Sequence, residues 1–459
     1  MPSILPALLA LTPVLPETTC RQLHRIVVAM LAMTGRITQL GISRWTDKGG
    51  SYRTVQRFFH TEIDWLAVKW LFFTRFVYDQ NGTYLLAGDE TVVTKSGKHT
   101  YGLDRFFSSL CERAVPGLAV FSMALIHVGN RKAYSLSNEQ VIRTEEEKQE
   151  AKQRKQQRAK QKPGGKANTP KKPRGRPKGS KNKQKADLPL SAELLRMQAQ
   201  AKKVMALLKQ RMAVSYFVLD GHFGHAGACQ MVRQLDLHLI SKMRADAALY
   251  LRPTPLQKQT TPQRKYGDRL DFAQMPEVLL CSTQTADGYN TLIYRAVCLH
   301  KHFDRPLNVV ILQRTHLASG RRGQVILFSS DLFLGADALI DYYRLRFQIE
   351  FTFRDAKQHF GLEDFMSLKK TSVQNAMSLS LFMVNLSSYL LDSLRSQVMG
   401  AGISDLKSWY RGQHYASALL KLLPQNPEAI ICEQILEQIG RLGLIHSSST
   451  KAARQKMAA

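Results

Sequence analysis

The sequence predicts an α/β protein in which a mixed sheet lies between helical regions at the two ends of the chain. Three observations carry this. Apolar runs of strand length recur at YLLAGDETVVTKSG, GLAVFSMALIHVG, KAYSLS, SYFVL and LHLISKMR. Four more strand-like runs, EVLLCSTQT, TLIYRAVCLH, LNVVILQR and QVILFSS, crowd into the stretch from 245 to 330. The segments before 80 and after 335 instead repeat apolar residues at helical spacing.

Composition narrows the partners. The 459 residues allow two to four domains, and 44% hydrophobic content supports a sizeable core. A net charge of +29 calls for a polyanion, most simply nucleic acid, with an anionic membrane surface as the rival. The six cysteines contain no CxxC, so neither a zinc site nor a disulfide framework is signalled, which fits a reduced, cytoplasmic protein. No apolar run reaches membrane-spanning length. The opening MPSILPALLALTPVLPETTC lacks a basic start and is interrupted by prolines, so it reads as a packed arm rather than a signal peptide.

Taken in order, residues 18–80 read as helices. RQLHRIVVAMLAM is followed by a glycine-bearing turn and then by one helix over SYRTVQRFFHTEIDWLAVKWLFF, capped by Ser51. With Arg53, Arg57 and Lys69 as basic positions, this suits either a helix-turn-helix DNA-binding module or an ordinary helical domain. In YLLAGDETVVTKSG two β runs are broken at Gly88-Asp89-Glu90, so Asp89 is either a turn former or an acid projecting into a cleft at the sheet edge. Fifteen Lys or Arg and no acid fall between 151 and 186, a composition that cannot bury a core. Within it Arg174-Gly175-Arg176-Pro177 resembles an AT-hook core, whose arginines enter a narrow minor groove; the bland reading is a solvated basic linker. SAELLRMQAQAKKVMALLKQRM is an amphipathic helix. SYFVL then ends at Asp220, which either caps the following helix or serves as a second strand-end acid. His222 and His225 have no third ligand at suitable spacing and are not read as a metal site.

The segment Asp341–Phe360 reads as one helix with two strips. Leu345, Ile349, Phe353, Ala356 and Phe360 form an apolar strip; Tyr343, Arg346, Glu350 and Lys357 lie within about 60° of arc beside it. A carboxylate there can hold a divalent metal, and the cations and phenol can hold phosphate. The bland alternative is a solvated face with an i,i+4 ion pair.

The pattern Tyr-x2-Arg-x3-Glu-x6-Lys resembles the third motif of the DDE transposases of bacterial insertion sequences, in their Tyr-Arg-Glu-Lys branch. The order of Asp89, Asp220, a β-rich stretch and Glu350 resembles that family's RNase H-like core. The resemblance implies an RNase H-like mixed sheet with a β-rich insertion, plus N- and C-terminal helical regions. On it the chain divides into a helical DNA-binding region (1–80), a catalytic domain (81–365) and a C-terminal helical region (366–459). The catalytic domain is interrupted by a basic linker (137–211) and the β-rich insertion (245–334).

By the same resemblance Asp89, Asp220 and Glu350 hold two Mg2+ ions, with Mn2+ as a substitute, and Glu90 and Asp104 compete for the role of Asp89. Arg346, Lys357 and Tyr343 then contact DNA phosphates. The implied partners are double-stranded DNA, as transposon ends and target, and a second copy in a synaptic homodimer; no membrane is implied. The branch places a base-stacking Trp in the insertion, but the four Trp here lie outside it, leaving Tyr266, Tyr289 and Phe303 as aromatic substitutes and the hairpin step open. A non-transposing metal-dependent nuclease of the same fold and a non-catalytic DNA-binding protein are the alternatives.

Overall fold

The protein was analysed as a computed structural model that describes residues 4–46, 49–108, 111–149, 187–254, 264–423 and 427–446, with the isolated Gln153 and Gln156. Arg174 and Arg176 lie outside the described residues.

The N-terminal region is helical: α1 (Ile4–Leu9), α2 (Glu17–Ala32), α3 (Gln39–Arg44), α4 (Tyr52–His60) and α5 (Trp65–Phe76). Ile4, Ala7, Leu8, Leu11 and Leu15 are buried, so the apolar opening is a packed arm as expected. The segment expected as one helix after Ser51 is two. Ser51 caps α4 by accepting from Thr54 N, α4 stops at Thr61, and Asp64 caps α5 through Leu66 N and Ala67 N. An aspartate that can satisfy two free helix N–H groups favours a new start over continuation.

Lys69 also departs from expectation. It is fully buried on α5, with its ammonium on Ser135 Oγ and Asn138 Oδ1, so it is not a DNA-facing base; Arg53 and Arg57 are exposed.

The sheet then begins with β1 (Tyr84–Thr94), β2 (Asp104–Ser108), β3 (Arg113–His127) and β4 (Lys132–Val141). It continues after α6 (Ala192–Leu208) with β5 (Tyr216–Val218), α7 (Ala226–Arg233), β6 (His238–Met243) and β7 (Leu249–Tyr250). Four long strands follow: β8 (Leu280–Ala286), β9 (Tyr289–His300), β10 (Leu307–His316) and β11 (Arg322–Ser329). Among the described residues they form one sheet in the order β2-β3-β1-β5-β6-β11-β10-β9-β7, with β4 also on β3 and β8 also on β9. The strands of the β-rich stretch thus continue the central sheet, because β11 pairs antiparallel with β6.

The middle of the sheet is mixed: β1 runs antiparallel to β3 but parallel to β5, and β5 parallel to β6 through the α7 crossover. Helices cover both faces of the central strands, which is why β3 is almost continuously buried rather than alternating.

The chain ends in α8 (Ala336–Leu345), α9 (Phe347–His359), α10 (Lys370–Arg395), α11 (Ile403–Leu420) and α12 (Ala429–Arg441). α10 is buried along most of its length and shares one core with α2, α4, α5 and α9. Asn375 on α10 fixes this union by accepting from Trp65 Nε1 at 2.8 Å and donating to the carbonyls of Phe59 and Thr61. Among the described residues no helix is long and apolar enough to cross a membrane.

Candidate active site

Two carboxylates reach the same sheet edge by register. Leu86 pairs with Phe217 and Ala87 with Val218 across parallel β1 and β5, so Asp89 and Asp220 each lie two residues beyond the last aligned pair. β5 ends at Val218, whereas β1 runs on to Thr94, so Asp220 lies just past the end of its strand beside Asp89 within β1.

The turn reading of Asp89 is overturned. β1 runs unbroken through it, because Gly88, Asp89 and Glu90 pair with Met123, Ser122 and Phe121 of the long β3. The glycine before it serves close packing rather than a turn. A Cβ at Gly88 would meet the Phe121 ring at 2.8 Å and Phe217 and Leu219 at 3.1 Å. Asp220 sits at the strand end and caps only the short 3-10 turn Gly221–Phe223; α7 itself is capped by His225, which accepts from Ala228 N, so the helix-cap reading of Asp220 is corrected. Asp220 Oδ1 accepts from His222 N at 3.2 Å, and its carbonyl accepts from Ser241 Oγ at 2.7 Å.

The third acid arrives from the helices. The segment Asp341–Phe360 is helical but jointed, with α8 and α9 meeting at Arg346. There Arg346 N donates to Tyr343 O at 3.3 Å and Ile349 N to Arg346 O at 3.1 Å, three-residue steps in place of the regular four. The apolar strip packs as expected, with Leu345, Ile349, Phe353, Ala356 and Phe360 all buried. The polar strip faces β1. Arg346, its side chain only 7% exposed, donates from Nη1 to Asp89 Oδ2 at 2.8 Å and from Nη2 to Glu350 Oε1 at 2.6 Å. One guanidinium thereby ties the strand acid to the helix acid.

Charge sets the chemistry of this cluster. Burial pushes the Asp89 carboxyl up to about 6; Arg346 opposes that shift, while Asp220 and Glu350 add to it. Burial disfavours the Arg346 cation, but Asp89 and Glu350 outweigh it and hold the guanidinium firmly charged. Tyr343 has its phenol pushed up, first by burial, with Asp220 and Glu350 adding to the shift and Arg346 countering it. Lys357 donates to Val92 O at 2.7 Å and pairs with Glu363 at 3.1 Å, which places its ammonium on β1 three residues beyond Asp89.

An open cleft of about 490 Å³ runs past Asp89, Asp220 and Lys357. Glu90 also lines it. Asp104 does not: it starts β2, beyond β3 from β1, and lies 3.8 Å from Arg143.

Two lining residues escaped the sequence reading of this site. Glu193, in the first turn of α6, lies 3.4 Å from His222 Nε2; each holds the other charged, raising the imidazole and lowering the carboxylate. His222 stands two residues after Asp220 and so had a positional signal, whereas Glu193 comes from a distant helix and had none. Of the aromatic substitutes, Phe303 is ruled out by burial in the core, while Tyr289 carries the Arg314 guanidinium 4.4 Å from its ring centre.

As the side chains stand, no group of three His, Cys, Asp or Glu among the described residues is gathered closely enough to hold a metal ion, and a guanidinium lies between two of the three acids. The donor chemistry nevertheless suits a hard divalent cation. It consists of carboxylates without thiols, and their mutual repulsion at a buried edge favours any cation that enters.

The chain matches the family described as DDE superfamily endonuclease over residues 10–292, more than half its length. It belongs to that family. The matched span contains Asp89 and Asp220 and ends before Glu350, which the Arg346 bridge connects to Asp89. No curated protein matches the chain. Membership makes DNA the substrate class, and the sheet order β4-β3-β1-β5-β6 at the centre of the endonuclease is consistent with an RNase H-like fold.

Proposed function

We propose that the protein is a DDE transposase of the Tyr-Arg-Glu-Lys type, which binds transposon ends, cuts them and joins them to target DNA. The supporting observation is the bridge from Arg346 to Asp89 and Glu350, which brings the helix motif onto the strand acids of the family match. Asp89, Asp220 and Glu350 would hold two Mg2+ ions, or Mn2+ in their place, which would supply activation of the attacking oxygen and stabilisation of the leaving one.

The chain's own groups do the rest. Lys357 and Arg346 fix phosphates beside the scissile bond, and the Tyr343 phenol donates to one of them. Exposed Arg53 and Arg57 on α4, together with Arg174 and Arg176 of the AT-hook-like motif, hold flanking duplex. We place the protein in the bacterial cytoplasm on nucleoid DNA, as a homodimer when two ends are synapsed.

The test is incubation of a labelled element end with target DNA and Mg2+, resolved on a denaturing gel. Joined products are expected. Cutting without joining would make the protein a plain nuclease of the same fold, and a hairpin band would show how the second strand is cut.

A further inference from the structure

We infer that Arg346 is a built-in competitor of the divalent cation: without DNA its guanidinium occupies the place between Asp89 and Glu350 that the cation takes when the site is loaded. The inference rests on the metal-site reading above and goes beyond it by assigning a metal-free arrangement and the residue that maintains it.

The geometry is specific. Among the described residues, Arg346 is the one that binds two of the three acids, through Nη1 at 2.8 Å and Nη2 at 2.6 Å, and its side chain is only 7% exposed. A buried cation between two carboxylates supplies the charge that a metal would otherwise supply, and arginine cannot lose its proton to make way. It must therefore leave Asp89, or at least yield an oxygen of it, when a metal enters.

Two observations mark this pose as one to be left. The Nε–H of Arg346 is buried without a partner, so the guanidinium is not fully satisfied where it sits; a phosphate oxygen would accept that hydrogen bond. Arg346 also stands at the joint of α8 and α9, where the backbone hydrogen bonds are three-residue steps although its own backbone stays right-handed helical. Lys357 is no rival for the role, because its ammonium is held by Val92 O and Glu363. Metal loading and DNA binding are then coupled: a backbone phosphate that draws Arg346 off Asp89 frees the carboxylates for the cation.

The test is Mn2+ binding to the full-length protein without DNA, followed by the electron paramagnetic resonance signal of free Mn2+. Arg346→Ala is expected to bind Mn2+ about tenfold or more tightly than wild type, since a nearby unit charge has gone. The double variant Asp89→Asn/Arg346→Ala is expected to lose that gain. A short duplex should narrow the difference between wild type and Arg346→Ala.

Equal or weaker Mn2+ binding by Arg346→Ala would overturn the inference and leave the metal site standing. Absence of binding by either protein would remove both. If circular dichroism shows Arg346→Ala unfolded, Arg346→Lys carries the test. A lysine cannot bridge both acids with the same fork, so Mn2+ affinity should again rise, and an unchanged or lower affinity would overturn the inference.

Discussion

Asp89→Asn is expected to lower Mg2+-dependent DNA cleavage by about 10³-fold or more while leaving the fold and DNA binding in place. Asparagine keeps the shape, and its one carbonyl oxygen accepts from either Glu90 N or Arg346, which now bond to different oxygens of Asp89; the pairing of β1 with β3 along its whole length holds the strand edge. It removes the negative charge that a divalent ion needs, and charge stabilisation at the reacting phosphate is the main contribution such a site makes. Glu90→Gln is the control. Glu90 lines the same cleft but has no bond to Arg346 or Glu350, so its loss should cost far less. The measurement is single-turnover cleavage with melting curves and gel shifts on the same preparations. Comparable losses in both variants would point to general acidity of the cleft rather than to Asp89.

Lys69→Met is expected to stabilise the protein at neutral pH by about 2 kcal/mol. Lys69 is fully buried without a carboxylate, and burial lowers its ammonium from 10.5 to about 7. The unfolded chain therefore takes up this proton at a pH where the folded chain does not. The cost is complete below about pH 7 and fades as pH rises toward 10.5, so wild-type stability should climb across that window. Methionine removes the cost but also the bonds to Ser135 and Asn138, worth about 1 kcal/mol each, which is why the net gain falls well short of the full linkage value. Urea unfolding at pH 7 and pH 9.5 checks this. The gap between variant and wild type should shrink at the higher pH. A methionine variant less stable than wild type at both would show that Lys69 is held neutral and well bonded.

What the sequence disclosed and what it hid follow from range. The two strips of the 341–360 segment are local, since 3.6-residue periodicity alone puts Leu345, Ile349 and Phe353 on one side and Arg346 and Glu350 on the other. The contact of Arg346 with Asp89, 257 residues away in sequence, was not legible, because no local pattern records it. Asp89 looked like a turn former for the same reason. Gly-Asp-Glu has turn chemistry locally, but pairing with all of β3 overrides it. Lys69 read as a surface base because nothing in its neighbourhood on α5 shows that β4 packs over it. Glu193 joined the cleft through the crossover between β4 and β5, which no short motif records.

The central claim, that acids from β1, from the end of β5 and from α9 form one metal-dependent catalytic site, is tested most directly by comparing wild type with Glu350→Gln. The measurement is Mg2+-dependent cleavage of a labelled DNA duplex, with binding of the same duplex measured in parallel. Loss of cleavage by about three orders of magnitude with DNA binding retained is the expected result. Unchanged cleavage in Glu350→Gln would contradict the account, because the third acid would then carry no part of the chemistry.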